Sequence, residues 1–214
     1  MECRCEFGDH ESGARYRRFR CQKHRSSRPV TNVFTEESYR RMGSFDEKKT
    51  HINEFIAGFG EMGSGPGSVL EIGCGISQYV KMCLEKGFRY EGCDTSKFAC
   101  EWMKNTYGVR MYQKDFEVLS IKGQYDIVIA AHVLEHAKNA AKMMEKISSA
   151  IIPGGLLCLL IPDDADLENQ DHNWFFTEES AISMMKLNGF EVLSSRVFRI
   201  VSHENFMYFV GKKQ

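Results

Sequence analysis

Val69-Leu70-Glu71-Ile72-Gly73-Cys74-Gly75-Ile76-Ser77 decides the architecture: an apolar strand carrying an acid runs into a Gly-x-Gly turn that opens a helix. Bare backbone at Gly73 and Gly75 lets a ligand approach closely at the carboxyl edge of a parallel sheet. A dinucleotide fingerprint would need a third glycine at position 78, where the helix must hug the strand beside a pyrophosphate. This chain has Gln78 there. An acid at Glu71 is badly placed for a pyrophosphate and well placed for an ammonium group, so the turn points to an amino-acid-bearing nucleoside.

Outward from this turn, short apolar runs alternate with helical stretches. Runs 69–72, 90–93, 109–112, 127–131 and 156–161 read as strands buried on both faces, and 77–86, 96–107 and 139–151 read as helices. Such alternation predicts a parallel sheet covered on both sides. Pro153-Gly154-Gly155 reads as the turn before the fifth strand. Thr177, followed by Glu178, Glu179 and Ser180, predicts an N-cap and a helix running to Asn188-Gly189. Stretches 190–198 and 205–211 then read as two closing strands, antiparallel because the connection is short. Residues 36–59 place Tyr39, Met42, Phe45, Ile52, Phe55, Ile56 and Phe59 at spacings near three and four, which predicts an amphipathic helical lid over 31–62.

Composition bounds the rest. The 214 residues carry 28 Lys+Arg against 29 Asp+Glu and are 43% hydrophobic, the profile of one α/β domain with a short appendage. The apolar run from Ile151 to Ile161 is broken by Pro153-Gly154-Gly155 and falls short of the roughly 20 residues a membrane span needs. The polar start MECRCEFGDH lacks a secretory core, so a cytoplasmic setting is expected, with the eight cysteines as thiols or metal ligands.

Two further acids fall in register with the glycine turn. Asp94, in Cys93-Asp94-Thr95, ends the second strand where a carboxylate reaches two ribose hydroxyls, and Asp115-Phe116 follows the third strand, where an acid meets an adenine amino group beside an aromatic ring. With these residues the chain resembles class I S-adenosylmethionine-dependent methyltransferases over about residues 34 to 212. The resemblance implies a Rossmann-like seven-stranded sheet with helices on both faces and an antiparallel closing strand, in a core spanning 63–214. It implies that Glu71, Gly73 and Gly75 hold the methionine part of the cofactor, Asp94 the ribose, and Asp115 and Phe116 the adenine. Cys74, Thr95 and Ala131 complete that set.

The acceptor side follows the fourth strand, in Ala130-Ala131-His132-Val133-Leu134-Glu135-His136. If helical from Val133, positions 132, 135 and 136 face one side. His172, in Asp171-His172-Asn173-Trp174-Phe175-Phe176-Thr177, lies in a loop opening on the same edge, which makes His132, Glu135, His136 and His172 a candidate set of metal ligands. The pattern resembles the metal-binding pattern of small-RNA 3′-terminal 2′-O-methyltransferases, and its Leu-Glu-His part resembles ubiquinone-biosynthesis O-methyltransferases. Both normally begin with Glu where this chain has His132, which favours Mn²⁺, Fe²⁺, Co²⁺ or Zn²⁺ over Mg²⁺. Without a metal, His132 or His136 serves as general base, or Glu135 and His136 merely orient the turn.

Residues 1–30 form a Cys/Arg-rich arm holding eight Lys and Arg against four acids. Cys3, Cys5, Cys21 and His24, with His10 as a fifth candidate, suit a small zinc knuckle, and the alternative is free thiols on a flexible arm. A folded arm would turn the basic residues from Arg15 to Arg28, interleaved with Tyr16 and Phe19, into a basic patch able to meet phosphate. Three functions stand: O-methylation of a small-molecule hydroxyl, favoured by the net charge of -1; metal-dependent ribose 2′-O-methylation of RNA through the arm; and a non-catalytic cofactor-binding module.

Overall fold

The structure, a computed structural model, describes residues 67–121, 124–163, 172–198 and 206–214, together with the strand backbone of 7–9 and 15–18. The lid over 31–62 and Cys3, Cys5, His10, Cys21 and His24 of the arm lie outside the described residues. In chain order the strands are β1 (Phe7–Asp9), β2 (Arg15–Arg18), β3 (Ser68–Ile72), β4 (Arg89–Asp94), β5 (Arg110–Gln113), β6 (Tyr125–Ala131), β7 (Ile151–Pro162), β8 (Trp174–Phe175), β9 (Phe190–Phe198) and β10 (Phe206–Lys213). The α-helices are α1 (Tyr79–Glu85), α2 (Lys97–Tyr107), α3 (Ala140–Ala150) and α4 (Glu178–Leu187).

Seven strands form one sheet in the order β5-β4-β3-β6-β7-β10-β9. Strands β3 to β7 pair in parallel, whereas β10 runs antiparallel between β7 and β9, as expected of the closing pair. Residues along each central strand alternate between two cores. Leu70, Ile72, Val128, Ala130, Leu157, Leu159 and Phe209 pack with Met144, Ile147 and Met184 of α3 and α4. Val69, Ile127, Ile129, Cys158 and Tyr208 pack with Val80, Cys83 and Met103 of α1 and α2. Burial on both faces explains the continuous apolar runs, each fully buried Leu or Ile contributing about 1.5–3 kcal/mol. Cys74, Cys83, Cys93, Cys100 and Cys158 are buried free thiols.

Two local expectations need correction. Strand β7 starts at Ile151 rather than Leu156, and its partner in β6 jumps from Tyr125↔Ile151 to Ile127↔Leu156, so Pro153-Gly154-Gly155 forms a bulge inside the strand. Gly154 takes φ +80, which favours glycine, and a Cβ on Gly155 would meet the Asp126 carbonyl oxygen at 2.8 Å. The second correction concerns the segment after β6. It holds only a 3₁₀ turn, Leu134–His136, entered from a left-handed His132 (φ 54) and ended where the backbone turns extended at Ala137 (ψ 143). Helix α4 matches its signals: Thr177 caps it through a capping box with Ser180, and Gly189 (φ 80) follows the C-terminal Asn188.

No helix among the described residues is long and apolar enough to cross a membrane. The sheet order reverses between β3 and β6, so the crevice between their carboxyl ends is where such a fold receives a ligand.

Candidate active site at the sheet's carboxyl edge

Gly73 and Gly75 leave β3 with φ of 62° and 51°. The turn is strapped to the end of β4: Cys74 N–H donates to the Cys93 carbonyl at 3.2 Å, and Gly75 N–H donates to Asp94 Oδ2 at 2.8 Å. Ser96 N–H donates to the other oxygen, Oδ1, at 2.7 Å, and the Ser96 hydroxyl accepts from Ala99 N–H to cap α2. Burial lifts the Asp94 carboxyl above its ordinary value, partly offset by the Ser96 and Gly75 donors. Thr95 beside it is exposed and Ala131 is half-buried at the end of β6. The bare turn and the pinned carboxylate fit a nucleoside bearing an amino acid.

A Cβ on Gly73 would stand 2.6 Å from Val133 Cγ2, and the residue needs a left-handed backbone as well. Gly73→Ala is expected to destabilise the fold by about 1–3 kcal/mol, read as a lower denaturant midpoint. Adding Val133→Ala should recover the steric part and leave the backbone part. An unchanged midpoint in the single variant would contradict this packing.

Glu71 shares its sheet face with Val69, so its carboxylate lies under the helix layer, 2% exposed. Its Oε2 accepts from Ser77 Oγ at 2.5 Å and from the Tyr90 hydroxyl at 2.6 Å, while Ser77 Oγ accepts the N–H groups of Tyr79 and Val80 that open α1. The carboxylate therefore underpins the glycine turn from below. Tyr90 and Ser77 are partners the sequence reading missed; strand parity, with Glu71 beside Val69, is the signal that finds them.

Burial pushes the Glu71 carboxyl up to about 7, against the lowering effect of its two hydroxyl donors. The native state then binds a proton that the unfolded chain releases, so this group's contribution to stability falls as pH rises from the ordinary carboxylate range through about 7. The full loss is about 3 kcal/mol. Glu71→Gln keeps an acceptor for both hydroxyls, and its thermal midpoint between pH 5 and 8 is expected to lose that downward slope. A slope identical to the wild type would contradict the buried, uncompensated carboxyl.

Asp115 is half-buried and engaged, its Oδ2 at 3.0 Å from Lys138 Nζ and its Oδ1 accepting Glu117 N–H at 2.8 Å. The Phe116 ring is 4% exposed, packs into the core and lies under Lys146 Nζ, 5.2 Å from its centroid. The aromatic surface expected of Phe116 is thus taken up by the core, and its backbone is what remains for an adenine.

Across the crevice, Glu135 is fully buried, and neither of its carboxylate oxygens has a hydrogen-bond partner among the described residues. His132 Nδ1 stands 3.4 Å and His136 Nε2 4.0 Å from Glu135 Oε1. Burial alone would raise this carboxyl, but the two imidazoles outweigh it and hold it below the usual carboxylate range. One ligand atom each from Glu135, His136 and His172 lies within 4.8 Å of the others, whereas His132 stays outside this triad. His132 is exposed, with its ring edge-on to Phe206 at 5.0 Å. The expected set of four is therefore a triad with a neighbouring histidine.

The triad is held from the far side by residues not singled out in the sequence. Asn173 N–H donates to the Glu135 carbonyl at 2.8 Å, Asn173 Nδ2 to the His136 carbonyl at 2.8 Å, and Trp174 Nε1 to the Ala137 carbonyl at 2.7 Å. Trp174 thus clamps the turn.

None of the curated proteins matches the chain. Among solved structures it is similar to the N-methyltransferase NodS from Bradyrhizobium japonicum WM9 in complex with S-adenosyl-L-homocysteine, with a TM-score of 0.69 and 16% identity over 81% of this chain and 90% of that one. It is also similar to the 1,6-didemethyltoxoflavin-N1-methyltransferase of Burkholderia thailandensis, with a TM-score of 0.65 and 14% identity over 98% of this chain and 99% of that one. These likenesses establish the fold. A family model described as a methyltransferase domain matches residues 45–195, which takes in the glycine turn, Asp94 and the Glu135 triad, and the chain accordingly belongs to the methyltransferase domain family of class I S-adenosylmethionine-dependent enzymes.

Proposed function

We propose that the chain is an O-methyltransferase of a small hydroxyl compound, and that it activates the hydroxyl at His132 and Glu135 with a divalent cation held by Glu135, His136 and His172. The observation that carries this reading is the fully buried Glu135 carboxylate, which has no hydrogen-bond partner among the described residues and three imidazoles around it. A buried carboxylate without donors is costly, and a cation in the triad would satisfy it. One carboxylate and two imidazoles suit Mn²⁺, Fe²⁺, Co²⁺ or Zn²⁺. The net charge of -1 favours a small molecule over a polyanion.

When bound, S-adenosylmethionine supplies the methyl group, and a cation would supply charge that lowers the hydroxyl pKa. The protein's own residues do the rest. His132 Nδ1 faces the Glu135 carboxylate at 3.4 Å, an ion-pair contact that would stabilise the imidazolium, and this leaves Nε2 of the exposed imidazole to take the hydroxyl proton. Asn173 and Trp174 fix the turn, so that acceptor and methyl group can be held in line.

Titration of Mn²⁺ into the full chain saturated with S-adenosylhomocysteine, followed by electron paramagnetic resonance, tests the triad. One bound ion, lost in His172→Ala and retained in His132→Ala, is expected. No bound ion would remove the cation from the reading and leave His132 and Glu135 as a general-base pair.

A further inference from the structure

The chain from Glu135 to Asn139 is gripped from both sides. On one side are the bonds from Asn173 and Trp174 to the carbonyls of Glu135, His136 and Ala137. On the other is the loop after β5, which carries Asp115 and Glu117. Glu117 Oε2 accepts the Lys138 N–H at 3.2 Å, and Oε1 accepts the N–H of Asn139, the cap of α3, at 3.3 Å. Asp115 Oδ2 accepts from Lys138 Nζ at 3.0 Å. The loop is tied to α3 as well, because Lys146 Nζ donates to the Glu117 carbonyl at 2.9 Å. One short segment therefore joins the loop expected to meet adenine to two of the three triad residues.

The fold does not depend on the Lys138 side chain. Its exposure is 76%, against 36% for Asp115, and an exposed pair of this kind contributes roughly 0–1 kcal/mol. The start of α3 is already secured by the Asn139 cap and by the two backbone bonds to Glu117. What Lys138 does is orient an acid. Glu117 N–H holds Asp115 Oδ1 at 2.8 Å while Lys138 holds Oδ2, so the carboxylate is fixed at both oxygens. A carboxylate oxygen can accept two bonds, which leaves Oδ2 able to receive an amino group alongside the ammonium.

We propose that Lys138 is a positioning residue that aims Asp115 at the adenine amino group and carries the presence of that base to the Glu135–His136 turn. A base that donates to Asp115 pulls on the carboxylate that holds Lys138, two residues from His136, and so biases the turn. A base that cannot donate has no such differential contact and leaves the turn as it was. The inference rests on Asp115 as the adenine contact and on neither the cation nor the acceptor hydroxyl.

The test compares S-adenosylhomocysteine with S-inosylhomocysteine, in which a carbonyl oxygen replaces the amino group, on the full chain and on Lys138→Met, Lys138→Arg and Asp115→Asn. Calorimetry is expected to show the wild type preferring the adenine ligand about 10²-fold. Lys138→Met keeps the stem and loses the ammonium; it should reduce that preference about tenfold at an unchanged thermal midpoint, and Lys138→Arg should keep most of it. Imidazole nitrogen shifts read the second half of the proposal by nuclear magnetic resonance. Those of His136 should differ between the two ligands in the wild type and coincide in Lys138→Met. A preference lost in Asp115→Asn but untouched in Lys138→Met would overturn the role of Lys138 and keep the adenine contact. A preference untouched in both variants would remove that contact too, and His136 shifts that never distinguish the ligands would overturn the link to the turn.

Discussion

Replacing Glu135 with glutamine is expected to cost methyl transfer about 10²–10⁴-fold and to lower the thermal midpoint as well. Glutamine has the volume of glutamate, so the buried pocket stays filled. What is lost is a charge held below the usual carboxylate range, against burial, by His132 and His136. Because the native state holds that charge below its ordinary range, removing it costs stability, as does breaking a buried ion pair from one side. On the proposed reading, transfer depends on the charge itself, which faces His132 Nδ1 at 3.4 Å and completes the candidate donor set of the triad. S-adenosylhomocysteine affinity should be unchanged, because the Gly73 turn and Asp94 lie on the other strands of the crevice. Initial rates, thermal midpoint and ligand affinity on one preparation check all three. Activity within threefold of wild type would reduce Glu135 to a structural residue.

Asp94→Ala is expected to act in the opposite place. Its carboxylate accepts the N–H groups of Gly75 and Ser96 and so ties the glycine turn to the first turn of α2. Two charge-assisted bonds disappear, and with them the acid expected to meet the ribose hydroxyls. Affinity for S-adenosylhomocysteine should fall about 10²-fold, close to 3 kcal/mol, with the manganese site intact. Asp94→Asn keeps one acceptor oxygen and should fall between the wild type and Asp94→Ala. Calorimetry reading a dissociation constant within threefold of wild type for Asp94→Ala would contradict the assigned ribose contact.

Much of the fold was legible because its elements obey local rules. The apolar runs are buried on both faces, and Val69 and Leu70, or Cys158 and Leu159, divide between the two cores by strand parity alone. Thr177 announced α4 through capping chemistry that needs no tertiary partner. The left-handed backbone at His132 was not legible, since histidine spacing alone fits a helix as well as a 3₁₀ turn. Nor was the bulge at Pro153-Gly154-Gly155, which a turn before a strand and a bulge within it would both use.

On the candidate site, the acceptor cluster was read as four ligands, but only geometry separates His132 from the triad of Glu135, His136 and His172. Phe116 was read as cleft surface, yet its ring completes the core beside Lys146. The hairpin of the arm was hardest to foresee. Arg15-Tyr16-Arg17-Arg18 has the composition of a solvated charge run, and its place in a sheet depends on β8, more than 150 residues away in sequence.

Transfer of labelled methyl from S-adenosylmethionine into a fractionated cell extract, by the wild-type chain and by Glu135→Gln, with and without a chelator, tests the central claim most directly. The account predicts label in a hydroxyl compound of the small-molecule pool, lost in the variant and on chelation and restored by Mn²⁺. Label that is indifferent to both Glu135 and the chelator, or no label in any pool from a chain that binds the cofactor, would contradict it.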